Sequence, residues 1–425
     1  MHIIDNLFNK LLSTKIAKDS VWSVGGNAIS LLILLISGII ISRMVGKEAY
    51  GQYGTVKNLM MAFASLVAFG FGYSSTKIVS SKNEITKGTS WTIIKIVFFI
   101  GIILNIILFS LSKPLAVFLN KPDLETFFVA IGILMILRAL WATSCGLLAG
   151  YKLFKQISLY NIISSIVFAI FVVPLISLYG LYGAILNLIL YQALDAILCF
   201  WGVWKYERKA KYEKASSYKL LKYTFPIAIH EFSHTFGSIS VIMIILHFTS
   251  YGEYALYSVS AQWNSVIIII PTLMMNVTLS YLSNTCSETT HKQLLKKMLL
   301  VNLCCSIIPM LLVLLCSGFI VGLYGETFSD LPLVLKIGVF STIFSSLVLV
   351  FQSNLISEQR NWNLALYKIL RELIYIICLV LFFKYVHMRG ALISVIVDLV
   401  VCIAYFLLLC IDYSWINHKK QGKCI

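Results

Sequence analysis

Twelve long apolar runs divide this chain, and they constrain its fold more than any motif does. They lie at about residues 21–42, 54–79, 91–111, 127–149, 157–178, 182–204, 224–248, 255–280, 297–321, 332–356, 364–384 and 389–411. A helix needs about 20 mainly apolar residues to cross the ~30 Å hydrocarbon core of a bilayer. Inside lipid no water satisfies a backbone N–H or C=O, so only helices and closed barrels can span it. Barrel strands would read as alternating segments of about ten residues, whereas these runs are continuous. The expected fold class is therefore an all-α integral membrane protein with twelve transmembrane helices. Composition agrees: 59% of the residues are hydrophobic and 12% charged, against roughly half and a quarter in soluble domains.

The formal charge of +16 could suggest a nucleic-acid partner. Its placement suggests a membrane instead. Lysine and arginine crowd into alternate loops, at Lys10–Lys18, Lys77–Lys87, Lys152–Lys155, Lys205–Lys222, Lys292–Lys297 and Lys419–Lys423, while the intervening loops carry few. That is the positive-inside bias, and it puts both termini in the cytoplasm. No nucleic acid is expected as a partner; membrane lipids are. The first apolar run has no small-residue cleavage site after it and reads as a retained span rather than a signal peptide. The ten cysteines are scattered, mostly within spans and with no C-x-x-C pair, and read as small buried hydrophobes.

The chain carries traces of an internal repeat. Tyr50-Gly-Gln-Tyr53 after span one matches Tyr254-Ala-Leu-Tyr257 after span seven; Leu159-Tyr160 matches Leu366-Tyr367, and Gly183-Ala184 matches Gly390-Ala391. The offset runs from 204 (Tyr50 to Tyr254) to 207 (Gly183 to Gly390). Six spans repeated in the same orientation predict two six-helix lobes related by a pseudo-two-fold axis along the membrane normal, around a central cavity. The expected division is an N-terminal lobe over residues 1–204, a basic cytoplasmic linker over 205–222 and a C-terminal lobe over 223–425. Transporters built from such repeats bind substrate near the midplane and work by alternating access.

Ionisable residues inside spans are costly and mark function. They are Lys95, Arg138, Asp195, His230, Glu231, His234, Lys336, Arg371, Glu372 and Asp398. Arg138 has about ten apolar or small residues on either side, so it is expected to face an aqueous cavity or to pair with Asp195 or Asp398. Lys95 and Lys336 lie near span ends, where a long side chain can reach the interface. Asp195 and Asp398 occupy nearly equivalent places in the two halves and read either as cation-coupling sites or as counter-ions for Arg138 and Arg371. Arg371 and Glu372 are neighbours about 100° apart on a helix, so direct pairing is not expected; Lys368 is better placed for Glu372.

Residues 230–234 read HEFSH, a literal H-E-x-x-H. His230 and His234 share a helix face as a zinc protease requires, with Glu231 as would-be base. Catalytic zinc needs a third protein ligand, and the Asp-Gly that intramembrane metalloproteases use for it is absent from the sequence. The repeat offers another reading. At an offset of 204, Glu231 falls on Asn27 and His234 on Ser30, so both halves place polar groups at the same depth of their first helix. That suits a polar cavity wall rather than a protease, and no enzyme activity or metal is expected.

Residues 25–72 resemble Wzx-type polysaccharide flippases of the multidrug/oligosaccharidyl-lipid/polysaccharide exporter superfamily. Asn27 early in span one, then Arg43, Gly46, Tyr50, Gly51 and Tyr53 entering span two, then Gly70 and Gly72 at its end, follow that pattern. Leu148-Ala-Gly150-Tyr151 and Gly183-Ala184 also fit. The resemblance implies a substrate of oligosaccharide repeat units on undecaprenyl diphosphate, flipped from the cytoplasmic to the periplasmic leaflet of a bacterial inner membrane for O-antigen or capsule. A polysaccharide polymerase and a chain-length regulator are further candidate partners. Arg138 and Arg371, with Arg43, Lys57, Lys95, Lys336 and Asn27, become candidate substrate-binding residues. Glu231, His230, His234, Asp195 and Asp398 become candidate coupling residues. No phosphate-binding loop is present, so an ion gradient rather than ATP is the expected drive, and no cofactor is expected. Span one lacks the acidic residue common in the multidrug branch, which weighs against a drug/cation antiporter.

Overall fold

A computed structural model describes residues 15–80, 87–208, 216–283, 288–358 and 360–421. The described residues form helices and short turns, with no strand among them. In chain order these are α1 (Lys15–Ala68), α2 (Phe71–Ser80), α3 (Lys87–Phe118), α4 (Leu124–Gly150), α5 (Phe154–Glu207), α6 (Ser217–Phe248) and α7 (Tyr251–Ile267). There follow α8 (Ile269–Ser283), α9 (Glu288–Leu315), α10 (Ser317–Tyr324), a 3₁₀ turn at Glu326–Phe328, α11 (Leu331–Ser357), α12 (Asn361–Tyr385) and α13 (Gly390–Gln421).

Helices α1 and α5 each run for 54 residues. A straight helix of that length would reach about 80 Å, far beyond one bilayer. Each is broken once by a glycine in a conformation closed to other residues. Gly46 has φ 77° and ψ 174°, and Gly180 has φ 56° and ψ −131°. Only glycine takes these angles without a Cβ clash, so each break joins two spans. Counting them, the described residues make twelve helical passages that contain all twelve apolar runs. Among the described residues eight helices are long and apolar enough to cross a membrane, α1 and α5 included. The others differ for local reasons: the α7–α8 passage is interrupted at Ile268, and α12 carries Lys368, Arg371 and Glu372.

The chain divides into two compact units, Met1–Ile239 and Ser240–Ile425. The division falls inside α6, later than the 222/223 boundary drawn from the basic stretch. Much of that stretch is helical, since Lys205–Glu207 finishes α5 and Ser217–Lys222 begins α6. The first half of α6 is tied into the first unit by Ser74 and Thr224, whose hydroxyls lie 3.0 Å apart, and by Phe69 packed edge-on against Phe232.

In the first unit Ile41, Leu59, Phe71, Ile93 and Phe128 are fully enclosed. Helices α2 and α4 meet at glycines. A Cβ on Gly146 would collide with the Gly72 carbonyl and the Ser75 hydroxyl, and the Thr76 hydroxyl donates to the Gly146 carbonyl at 2.9 Å. Small residues permit this backbone approach in membranes, where packing rather than the hydrophobic effect joins helices. At the end where α4 and α5 finish, buried Glu207 accepts from the Ser90 and Tyr151 hydroxyls. Burial, followed by the bond to Glu207, raises the Tyr151 phenol above its ordinary range.

The second unit has a core that includes Leu282, Leu295, Phe351, Leu355, Tyr405 and Leu409. Arg360 makes a two-pronged bond to Asp412, both contacts at 2.7 Å, and the Tyr367 hydroxyl donates to the same carboxylate.

The repeat is visible in the structure of each unit. Tyr50 and Tyr53 sit with ring centroids 6.0 Å apart at 34°, and Tyr254 and Tyr257 at 6.2 Å and 42°. The residues preceding the fifth passage of each unit, Leu153 and Arg360, share the same backbone angles, φ −90° with ψ 42° and 46°. The corner before the tyrosine pair differs. Gly46 turns it by a positive φ, whereas Ser250 caps α7 by accepting from the Glu253 N–H.

Large apolar side chains such as Phe99, Ile106, Phe109, Leu312 and Leu315 stand exposed along the helices. A soluble monomer does not tolerate so much exposed apolar surface; lipid covers it. The protein is a multi-pass membrane protein.

Candidate functional site

The first unit contains a cavity of about 480 Å³. Three residues singled out from the sequence meet in its wall: Asn27 from α1, Arg138 from α4 and Glu231 from α6. Helix α4 packs against α1 and, at the Gly146 contact, against α2, and Glu231 of α6 completes the wall.

Trp141, which the sequence reading passed over, organises this wall. The Arg138 guanidinium lies 3.7 Å from the centre of the Trp141 ring. The indole N–H donates to the Asn161 side-chain oxygen at 3.3 Å, and the Asn161 amide donates to the Asn27 oxygen at 3.2 Å. The Ser30 hydroxyl donates to the Asn161 carbonyl at 3.3 Å. A line of polar contacts thus runs from the guanidinium through the indole to Asn27, and it fixes where the positive charge sits. The signal for Trp141 was its spacing: three residues after Arg138, it lies one turn along the same helix face. Asn161 was a lone amide in an apolar run, a weaker signal.

Asp195 is fully buried on α5. No aligned hydrogen bond reaches either carboxylate oxygen, although Ser164 and Tyr191 lie beside it and Arg138 acts on it electrostatically. Among the described residues no carboxylate lies within ion-pairing distance of Arg138. Its direct contact is the indole face. Lys57, half-buried on α1, also lies within electrostatic range of Arg138.

The second unit handles its charges differently. The Arg371 guanidinium is 3.0 Å from Glu372 and 3.9 Å from Asp398. The contact with Glu372 corrects the expectation that adjacent residues on α12 do not pair. Their Cα–Cβ bonds do diverge, but the long arginine side chain bends back to reach the neighbouring carboxylate. Tyr257 and Tyr375, with hydroxyls 3.3 Å apart, lie beside the same group, as does Tyr405. Asp398 therefore has an internal cation within ion-pairing distance, and Asp195 has none among the described residues.

The remaining candidates are dispersed. Arg43, Lys95 and Lys336 are exposed on α1, α3 and α11. His230 and His234 lie on α6, and their side chains fall outside the described residues.

The match to a polysaccharide biosynthesis protein family covers residues 16–285. No curated protein matches the chain. Solved structures with the same fold include a multidrug resistance MATE family transporter of the MOP superfamily in an inward-facing conformation. It is 13% identical, with 92% of this chain and 96% of that one covered and a TM-score of 0.78. The lipid II flippase MurJ is 17% identical over 91% of this chain and 87% of its own, with a TM-score of 0.73. A MOP superfamily transporter from Pyrococcus furiosus, described as having a binding pocket of reversed polarity, is 15% identical over 93% and 94%, with a TM-score of 0.63. At these identities the likeness is one of fold. With the match spanning well over half of the sequence, the chain belongs to the polysaccharide biosynthesis protein family, built on the twelve-helix fold of MOP superfamily transporters.

Proposed function

We propose that this protein is a flippase for oligosaccharide repeat units linked to undecaprenyl diphosphate. It moves them from the cytoplasmic to the periplasmic leaflet of a bacterial inner membrane by alternating access, coupled to an ion gradient. The observation that carries this reading is the cavity that unites Asn27, Arg138 and Glu231. A lipid-linked sugar has a head that cannot cross hydrocarbon and a tail that cannot leave it. The protein need only supply a hydrated, charge-complementary hollow. At about 480 Å³ the cavity lies within the ~300–1,000 Å³ range of small-ligand sites, enough for a diphosphate with its first sugars.

In this reading Arg138 meets the diphosphate through charge-assisted hydrogen bonds, and Lys57 adds positive potential nearby. Trp141 holds the guanidinium by its ring face, and Asn27 offers its amide to sugar hydroxyls. Glu231, in the same wall, and Asp195, close to Arg138, are the coupling carboxylates, with His230 and His234 beside Glu231 in the sequence. A histidine changes charge near neutral pH, which suits a titrating partner. Arg371 and Asp398 neutralise each other in the second unit, so we assign Asp398 the part of counter-ion. Arg43, Lys95 and Lys336 serve the headgroup region.

The test is genetic. In a bacterial strain lacking this gene, surface polysaccharide should disappear while undecaprenyl-linked repeat units accumulate. Complementation with the wild-type gene should reverse both effects; Arg138→Ala and Glu231→Gln should not. Unchanged surface glycan in the deletion strain would overturn the flippase reading. Normal export by both variants at wild-type protein levels would overturn the residue assignment.

A further inference from the structure

Cys145 on α4 and Cys199 on α5 are both free thiols, and their sulfurs lie 3.5 Å apart. They play no part in the transport reading above. Cys145 lines the cavity and is partly exposed, whereas Cys199 is fully buried directly behind it. The separation exceeds a disulfide bond of about 2.05 Å, so the pair is a dithiol, yet one bridging atom can bind both sulfurs. Arg138 and Trp141 line the same wall as Cys145. The other close pair in sequence, Cys304 and Cys305 on α9, contrasts with it. Those two are adjacent on one helix, so their side chains diverge by about 100°.

We propose that Cys145 and Cys199 form a chelating site for soft, thiol-seeking ligands, trivalent arsenicals above all, and that occupancy of this site obstructs the cavity. Phenylarsine oxide is the probe. Its As=O bond and two S–H bonds break, two As–S bonds form, and the oxygen leaves with both protons as water. Arsenic stays trivalent, so no oxidant is needed. The product places a phenylarsenic group against Arg138 and Trp141.

The experiment uses the full-length protein purified in detergent. Intact mass and peptide mapping should find one arsenic bridging Cys145 and Cys199, retained in excess monothiol and released by a dithiol. Cys145→Ser and Cys199→Ser should each lose this monothiol-resistant adduct, and the double variant Cys304→Ala/Cys305→Ala should keep it. Mapping on the wild-type protein needs no variant, so a misfolded variant does not rescue the idea. An adduct that is absent from the wild type, or that survives in Cys199→Ser, overturns the proposal. The obstruction claim rests on the flippase reading: phenylarsine oxide should stop movement of lipid-linked oligosaccharide in proteoliposomes, and dithiol should restore it. An adduct at Cys145–Cys199 that leaves active transport unchanged refutes the obstruction. Proteoliposomes that move no lipid-linked oligosaccharide before treatment refute the flippase reading and leave the dithiol site standing.

Discussion

Replacing Asp195 by asparagine should stabilise the first unit while abolishing gradient-coupled transport. Asp195 is fully buried, and no aligned hydrogen bond reaches its two carboxylate oxygens. Desolvating a carboxylate costs several kcal/mol even after relaxation. Against this stands attraction to Arg138, which is not in ion-pairing contact. At an effective dielectric of about 20 two charges gain at most ~4 kcal/mol at 4 Å, and less beyond. These terms nearly cancel, so hydrogen bonding decides the sign. The amide keeps one acceptor and gains a donor, which the Ser164 hydroxyl beside it can accept. One new hydrogen bond contributes about 1 kcal/mol, and removing an unsatisfied buried acceptor contributes about 1–3 kcal/mol more. A net gain of roughly 2–4 kcal/mol should raise the melting midpoint by about 4–16 °C, taking ~2–4 °C per kcal/mol for a unit of this size. The assay is thermal unfolding of purified Asp195→Asn beside the wild type, paired with transport in vesicles with and without an imposed ion gradient. A lowered midpoint would refute the reasoning, because it would make Asp195 a satisfied counter-ion of Arg138. Undiminished response to the gradient would remove Asp195 from coupling.

Other substitutions probe the cavity and the frame around it. Arg138→Ala should weaken binding of the diphosphate-linked substrate by about 10- to 100-fold, the equivalent of one charged hydrogen-bond set at ~1.5–3 kcal/mol. Arg138→Lys should fall between, since lysine keeps the charge without the planar fork that stacks on Trp141; equilibrium binding in detergent measures both. Gly146→Leu drives a side chain into the Gly72 carbonyl and Ser75 hydroxyl; it should cost at least ~1–3 kcal/mol, seen as a lower melting midpoint and poor monodisperse yield. Tyr151→Phe deletes a donor to buried Glu207 and should cost about 1–3 kcal/mol in the same thermal assay, while substrate affinity stays unchanged.

Twelve passages, their positions and the twofold repetition could be read from the sequence because a bilayer makes hydropathy a structural rule. Every span must satisfy its own backbone, so an apolar run of ~20 residues has few alternatives to a helix. The tyrosine pairs at 50/53 and 254/257 mark the repeat because both their type and their spacing recur. The polar list was equally legible, since each ionisable group stands out against an apolar background. What tertiary structure alone decided was which of these groups meet. Helix rotation and register in a membrane are set by close packing at small residues, such as the Gly146 contact with Gly72, and hydropathy carries no trace of them. That packing put Arg138 and Trp141 in a cavity shared with Asn27 and Glu231, and left Asp195 without an ion-pairing partner among the described residues. It turned Arg371 toward its own neighbour Glu372 and toward Asp398, and it set Cys199 behind Cys145. The repeat predicts nearly equivalent positions for Asp195 and Asp398, one helical turn apart. Only the side chains around them, one guanidinium stacked on an indole and the other held by two carboxylates, make their chemistry different.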